Sequence, residues 1–160
     1  MNSDRLFQFL HFVCSYNNVR ENSNEHKHII DTYNRIKPLP VGYKVSYTDS
    51  WCAVFVSFCF RVFFPDIVFP YECSCSRMVN KIKEFYPHKL HINGKKSGYK
   101  PKSGDVVFYR FHVGQIDHVG IIINATPVSM LVIEGNFSDT VKVREVKYDD
   151  FHIYGYFEPF

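Results

Sequence analysis

The stretch from Trp51 to Phe64 constrains the fold of this chain more than any other, because it is apolar at every position except Ser57 and Arg61. A helix on the surface of a protein shows a polar face, and this stretch has none. We therefore predict a helix that is buried on most sides. The short polar residues 47–50 that precede it are typical caps of a helix N-terminus, so its first turn should lie near Cys52.

Cys52 has two interpretations at that position. Unpaired backbone N–H groups and the positive end of the helix dipole favour a thiolate there, which lowers a pKa that is about 8.5 in a free cysteine. Such a thiolate would be a nucleophile. Free cysteine is also among the most buried residue types and often only fills space. Position alone favours this second interpretation, so the choice depends on residues further along the chain.

The composition is that of an ordinary globular domain of 160 residues, of which 46% are hydrophobic and 22% are charged. A chain of this length buries about two thirds of its unfolded surface. The net charge of +3 includes one lysine cluster, formed by Lys95, Lys96, Lys100 and Lys102. So weak a positive charge argues against nucleic acid as a partner, and we expect this cluster to lie in a solvated loop.

The cysteine count and the apolar segments limit where the chain is made. Five cysteines, of which Cys73 and Cys75 are too close together for an easy disulfide, fit a reducing compartment. No small-residue cleavage site follows the apolar patch at residues 6–14, so we expect no signal peptide and synthesis in the cytoplasm. Arg61, Pro65 and Asp66 interrupt the second apolar stretch, so we expect no membrane span.

The periodicity of apolar residues changes from helical to extended along the chain. Around the buried helix, amphipathic helices are predicted over residues 3–16, with Ser3 as cap, over residues 22–36, with Asn22 and Glu25 as a capping box, and over residues 74–86, with Ser74 as cap. Residues 87–104 are predicted to be an exposed connection. Strands are then predicted over residues 105–110, 116–124, 130–136, 141–146 and 152–157. The fold class is α+β, with N-terminal helices packed on an antiparallel sheet of five to six strands.

The second and third of these strands carry polar residues that need a reason. If Asn124 pairs with Met130, then His118 lies opposite Asn136, and Glu134 is one diagonal step away. A register slip of two residues would exchange Glu134 and Asn136. Either arrangement suits thiol chemistry, in which a histidine holds the proton of a cysteine and a third group orients the imidazole. The alternative is a polar pair at a sheet edge with no catalytic role.

Several motifs resemble those of a known family in order and spacing. They are Trp51-Cys52-Ala53-x-Phe55-Val56-Ser57, Gly104-Asp105-Val106-Val107-Phe108, Asp117-His118-Val119-Gly120-Ile121 and Glu134-Gly135-Asn136. The family is CHAP, the cysteine, histidine-dependent amidohydrolases and peptidases, which are papain-like enzymes that cleave peptidoglycan. The resemblance implies a papain-like fold, with Cys52 as nucleophile, His118 as base, Glu134 as the group that orients it and Asn136 nearby. It also implies an amidase or endopeptidase that acts through an acyl-enzyme on the peptide of the cell wall.

The same resemblance shapes the remaining expectations. Residues 38–43 and 72–78 are similar to single-domain members from phages and prophages, so an endolysin-like protein that acts at the bacterial cell wall is expected. We expect one catalytic domain over residues 1–160, with a helical cover in residues 1–45 and a catalytic core in residues 46–160. The calcium-binding aspartates of some phage members have no counterpart here, so neither a metal nor another cofactor is expected. Peptidoglycan is the expected partner, and a monomer the expected state.

Further residues near Cys52 have open roles. The oxyanion hole should include the backbone N–H of Cys52 and a second donor, for which Tyr47 is a candidate. Trp51 would form a substrate wall or pack in the core, and Asp49 would contact a substrate amine or cap the helix.

Two rival interpretations remain. Cys73, Cys75, His88 and His91 form a loose set that would suit zinc, although Cys-x-Cys is not the usual ligand spacing. Cys75 is also a second thiol at a helix start, with no histidine-bearing strand predicted beside it. In the other interpretation the chain is a non-catalytic wall-binding or interaction domain, with its tyrosines in a glycan groove.

Overall fold

The computed structural model describes residues 2–92 and 97–160, so Lys95 and Lys96 of the lysine cluster lie outside the described residues. The four helices of this part are α1 (Ser3–Cys14), α2 (Asn24–Asn34), α3 (Cys52–Phe63) and α4 (Cys75–Phe85). Its six strands are β1 (Leu90–Ile92), β2 (Val106–Tyr109), β3 (His118–Ala125), β4 (Ser129–Glu134), β5 (Lys142–Lys147) and β6 (Ile153–Phe157). The predicted α+β class is confirmed.

The strands of the described residues form one antiparallel sheet in the order β1-β6-β2-β3-β4-β5. Five of them match the predicted strands. β1 was missed, and it lies within the stretch predicted to be an exposed connection. Its three residues pair along β6 at the edge of the sheet, and a run this short shows no alternation from which a strand is predicted.

Helix α3 lies at the centre of the core, as its apolar sequence predicted. Every residue from Cys52 to Phe60 is buried. The rings of Phe9 and Phe60 lie 5.0 Å apart and join α1 to α3. On the other side, a Cβ atom at Gly135 would lie 2.5 Å from the Cβ of Phe55. The chain after β4 therefore passes close to α3. This brings the first residue of β3 and the last residue of β4 to the start of the helix.

The N-terminal caps of three helices differ from the predictions. Asn2 rather than Ser3 caps α1, and Ser23 rather than Asn22 caps α2 by accepting a hydrogen bond from the N–H of His26. For α3, the N-cap position is Trp51, and no side chain of the described residues caps it. The predicted capping of α3 by residues 47–50 was therefore wrong. Its physical consequence is that the first N–H groups of α3 are free to stabilise negative charge.

Among the described residues, no helix is both long and apolar enough to cross a membrane.

Candidate active site

Cys52 is the first residue of α3 and is only 4% exposed. The helix starts here because the turn before it is closed by its own contacts. Asp49 accepts hydrogen bonds from the N–H of Ser46 at 2.7 Å and from the hydroxyl of Tyr43 at 2.9 Å. The chain enters the core after this turn, and the sulfur of Cys52 lies at the uncapped N-terminus of the helix.

His118 is the first residue of β3 and is 7% exposed. Its Nε2 atom lies 3.7 Å from Oε1 of Glu134, the last residue of β4. The pairing of Ile121 with Ile133 and of Ile122 with Val132, continued along the strands, places His118 level with Asn136. This is the first of the two alignments that the sequence left open. A bulge between Ile122 and Asn124 changes the pairing at the hairpin end, where Met130 faces Ala125 instead of Asn124.

Gly120 provides the space that brings Glu134 to His118. Gly120 and Glu134 lie opposite each other in this register. A Cβ atom at Gly120 would lie 2.6 Å from the Cγ of Glu134 and 2.5 Å from a methyl group of Val132. A side chain at this position would therefore clash with the methylene carbon that carries the carboxylate of Glu134.

Arg144 was not predicted as a residue of the site, yet it holds Glu134 from the neighbouring strand β5. Its Nε donates to Oε2 of Glu134 at 2.5 Å, and its Nη2 donates to Oε1 at 2.9 Å. Arg144 lies on β5 opposite Val132. A usable signal existed in the sequence, since a buried carboxylate requires a counter-charge and Arg144 belongs to the next predicted strand.

The ionisation of the site follows from these contacts. Contact with the thiol of Cys75 lowers the pKa of Cys52, burial opposes this, and His118 lowers it further, so that the pKa lies well below its ordinary value. Burial alone would lower the pKa of His118, but the neighbouring sulfur of Cys52 and the carboxylate of Glu134 outweigh it and raise the pKa to about 9. Burial would raise the pKa of Glu134, but His118 and Arg144 outweigh it and lower the pKa. These shifts favour a thiolate at Cys52, an imidazolium at His118 and a carboxylate at Glu134.

Cys75 is also part of this cluster. The sequence placed it at a helix start with no histidine-bearing strand beside it, and that expectation was wrong. Its sulfur lies 3.5 Å from the sulfur of Cys52, and the backbone oxygen of Asp117, the residue before His118, lies 3.9 Å from the same Cys52 sulfur. The starts of α3, α4 and β3 therefore meet at one point.

Asn136 lies on the Cys52 side of the site, although the sequence had placed it near the imidazole. Its Nδ2 donates to the hydroxyl of Ser50 at 3.2 Å, and Ser50 is one of the groups that lower the pKa of Cys52. The chain turns away after Glu134, and Asn136 adopts a positive φ of 55°. Of the two candidates for contact with His118, the structure thus brings Glu134 to the ring.

The three residues considered for contact with the substrate or the oxyanion have other partners. The hydroxyl of Tyr47 donates to Oδ1 of Asp31 at 2.9 Å, so its single proton points to α2. Asp49 caps the turn before α3 rather than the helix. Trp51 is fully buried, and its indole N–H donates to Glu21 at 3.1 Å, so it does not form a wall for substrate.

Two phenylalanines flank the imidazole instead. The ring centroid of Phe111 lies 5.7 Å from that of His118, and the centroid of Phe137 lies 5.9 Å from it. Phe111 is 39% exposed. Neither residue was predicted from the sequence to belong to the site. Both follow the ends of strands, and their approach to His118 depends on how the loops after β2 and β4 close.

The cysteines and histidines considered for zinc are not gathered in the described part of the chain. No group of three or more His, Cys, Asp or Glu side chains there is placed to hold a metal ion. Cys75 is packed against Cys52, and the ring of His91 is stacked on Tyr99 at 3.6 Å.

Comparisons with known proteins relate the chain to one family. A family model described as the CHAP domain matches residues 42–136, which is more than half of the chain and includes Cys52, His118 and Glu134. A solved structure described as "The crystal structure of Ly7917" is similar, with 14% sequence identity, a TM-score of 0.46, and coverage of 68% of this chain and 53% of that chain. This chain therefore spans about half the length of that one. A comparison with curated proteins gave no match.

Proposed function

Because the chain belongs to the CHAP domain family, we propose that it is a peptidoglycan hydrolase that cleaves an amide bond in the peptide part of the cell wall. CHAP domains are cysteine- and histidine-dependent amidohydrolases or peptidases. The observation that carries the proposal is the geometry at the N-terminus of α3, where the sulfur of Cys52 lies 3.9 Å from the backbone oxygen of the residue before His118, and Nε2 of His118 lies 3.7 Å from Glu134. The directions in which the pKa values of Cys52 and His118 shift support the pairing of these two residues. In this proposal Cys52 is the nucleophile.

The first half of the reaction forms an acyl-enzyme. The thiolate of Cys52 attacks the carbonyl carbon of the amide, and the carbonyl oxygen becomes an oxyanion. The backbone N–H of Cys52, at the uncapped start of α3, is suited to stabilise that oxyanion together with a second donor. The C–N bond then breaks, and the imidazolium of His118 gives its proton to the leaving amine. Because Nε2 faces Glu134, Nδ1 is the nitrogen available for this transfer.

The second half returns the enzyme to its starting state. Neutral His118 takes a proton from a water molecule, and the hydroxide attacks the thioester carbon. The C–S bond breaks, the product leaves as a carboxylic acid, and Cys52 is again a thiolate beside a protonated His118. The role of Glu134 is to fix the ring orientation and to stabilise the imidazolium, and Arg144 holds Glu134 for that task.

Tyr47 is a less suitable second donor to the oxyanion than the sequence indicated. Its hydroxyl would first have to break its hydrogen bond to Asp31. The amide of Asn136 donates one of its two N–H groups to Ser50, so its second N–H group is a donor without this requirement. We therefore assign Asn136 to the oxyanion side of the site, rather than to the orientation of His118.

The test is mass spectrometry of the muropeptides released from purified sacculi by the wild-type protein and by Cys52→Ala. We expect new amino and carboxyl ends from the wild type only, and the position of the new ends distinguishes an N-acetylmuramoyl-L-alanine amidase from an endopeptidase. Cys59→Ala is the matched control, because Cys59 is a second buried cysteine of α3 outside the site. Identical digests from wild type and Cys52→Ala would overturn the proposal. Sacculus binding without product release would instead support a non-catalytic wall-binding domain.

The finer biological role is a further part of the proposal. The similarity of residues 38–43 and 72–78 to phage and prophage members favours an endolysin-like protein that acts on the wall from the cytoplasmic side. Expression inside a bacterium together with a pore-forming lysis protein should then cause lysis that depends on Cys52.

A further inference from the structure

Cys75 begins α4 and Cys52 begins α3, and their sulfur atoms lie 3.5 Å apart. Both cysteines are free, and they are 5% and 4% exposed, respectively. The distance is far longer than a disulfide bond, which is about 2.05 Å, and it lies within the range of a hydrogen bond between sulfur atoms. A second thiol is therefore in direct contact with the atom that the proposed function makes the nucleophile.

Two serines hold the start of α4 at this place. Ser57 of α3 donates to the backbone oxygen of Glu72 at 2.9 Å and accepts from its N–H at 3.1 Å. Ser76 of α4 donates to the backbone oxygen of Ile116 at 2.9 Å and accepts from its N–H at 3.2 Å. These four hydrogen bonds fix Cys75 between α3 and the segment that leads to His118.

Only one of two buried sulfurs in contact carries a negative charge, because two thiolates would repel each other without water to solvate them. His118 stabilises the charge on Cys52. Contact with Cys52 raises the pKa of Cys75 well above its ordinary value, and burial adds to this. Cys75 therefore keeps its proton when Cys52 ionises, and that proton lies beside the thiolate.

We propose that Cys75 is a further catalytic residue, whose thiol donates an S–H···S hydrogen bond to the Cys52 thiolate. This inference rests on the proposed function only in that it takes Cys52 as the nucleophile. The bond supplements the backbone N–H groups of α3 and the imidazolium of His118, and it keeps Cys52 ionised in a place with little solvent.

The hydrogen bond changes in strength during the reaction. It weakens when the sulfur of Cys52 becomes a neutral thioester, and it forms again as the C–S bond breaks and charge returns to the sulfur. Cys75 therefore stabilises Cys52 as a leaving group in the second half of the reaction. No bond to Cys75 is made or broken, and its proton stays on its own sulfur.

The test measures the ionisation of Cys52 without any wall substrate. The rate of alkylation of Cys52 by iodoacetamide is followed as a function of pH, and peptide mass spectrometry identifies the modified cysteine. In Cys75→Ala and in Cys75→Val, which fills the volume of the thiol without a donor, we expect the midpoint for Cys52 to rise by about one pH unit or more. This corresponds to a roughly tenfold loss of thiolate below the midpoint. Cys75→Ser, which keeps a donor, should lie close to the wild type.

Cys59→Ala is again the matched control, because burial raises the pKa of Cys59 in the same helix and its removal should leave the profile of Cys52 unchanged. Profiles of Cys75→Ala and Cys75→Val that superimpose on the wild type would overturn the proposal. It would also be overturned if the pH profile of Cys75→Ser matched that of Cys75→Ala. The same holds if Cys75 were alkylated faster than Cys52 in the wild type. If Cys75→Ala does not fold, the profile of Cys75→Val still tests the proposal. So does the order in which Cys52 and Cys75 are alkylated in the wild type.

The outcome is separable from that of the proposed function. A shifted profile in a protein that releases nothing from sacculi would support the hydrogen bond and reject the peptidoglycan hydrolase. An unshifted profile in a protein that releases muropeptides would support the peptidoglycan hydrolase and reject the hydrogen bond from Cys75.

Discussion

Arg144 donates two hydrogen bonds to Glu134, one to each carboxylate oxygen, at 2.5 and 2.9 Å. Glu134 is fully buried, and its only other charged neighbour in the described structure is His118, at 3.7 Å. The carboxylate behind the histidine is therefore held more closely by the arginine than by the imidazole. This arrangement keeps Glu134 ionised and fixes its position.

The first prediction concerns this ion pair. Arg144→Met should lower the free energy of unfolding by about 2–4 kcal/mol, because it leaves a buried carboxylate with one partner. Urea unfolding measures the change. Lys147→Met, which removes an exposed cation of the same strand, should change the stability by less than about 0.5 kcal/mol. Equal changes in the free energy of unfolding for the two substitutions would show that the Arg144–Glu134 ion pair does not stabilise the fold.

The second prediction is a bell-shaped dependence of kcat/KM on pH. Activity should rise as Cys52 ionises, and it should fall near pH 9, where His118 loses the proton that the leaving amine requires. In Glu134→Gln the falling limb should move to lower pH, because the carboxylate contributes to the raised pKa of His118. Release of amino groups from sacculi at each pH measures both limbs.

His88→Gln is the control for these profiles, because His88 is exposed and lies outside the site. It should leave both limbs in place. A falling limb that stays at the same pH in Glu134→Gln would mean that Glu134 does not act on His118.

The third prediction concerns Gly120. In Gly120→Ala the new methyl group would meet Glu134 at 2.6 Å and Val132 at 2.5 Å. We expect a loss of stability of about 1–3 kcal/mol from overpacking, together with a larger loss of activity, because the carboxylate moves away from His118. Thermal unfolding and muropeptide release measure the two effects.

The double variant Gly120→Ala/Val132→Ala separates the loss of stability from the loss of activity. It relieves only the contact with the valine, so stability should recover in part while activity stays low. If activity recovered together with stability, the displacement of Glu134 would not be the cause of the loss.

The fourth prediction concerns oxidation. A hydroperoxide should convert the Cys52 thiolate to a sulfenic acid, and the thiol of Cys75 should then displace water from it to form a disulfide. The expected product has lost two hydrogen atoms and regains activity with a dithiol reductant, as mass spectrometry and an activity assay would show. Cys75→Ser has no second thiol at this distance, so its Cys52 should pass on to the irreversible sulfinic acid. Reversible inactivation of Cys75→Ser would contradict this.

The extent to which the site was predictable differs between its residues. The motifs around Cys52 and His118 indicated the family, and alternation with a short hairpin limited the alignment of β3 with β4 to two registers, of which the structure adopts one at His118. The choice between Glu134 and Asn136 depended on where β4 ends, which is set by the turn after Glu134. The contact of Cys75 with Cys52 was missed because it joins the starts of two different helices, whose packing periodicity does not predict. Arg144 was missed although it lies on the strand next to Glu134.

The amino-acid sequence by itself determined that the segment after Trp51 is a buried helix and that the second half of the chain is an antiparallel sheet, because apolar periodicity is a local property. Only the tertiary structure decided which groups surround the sulfur of Cys52. The start of α4 reaches it through the hydrogen bonds of Ser57 and Ser76, contacts that join residues far apart in the chain. The physical reason is that the charge of a buried thiolate depends on distances of a few ångströms, which packing sets and periodicity does not.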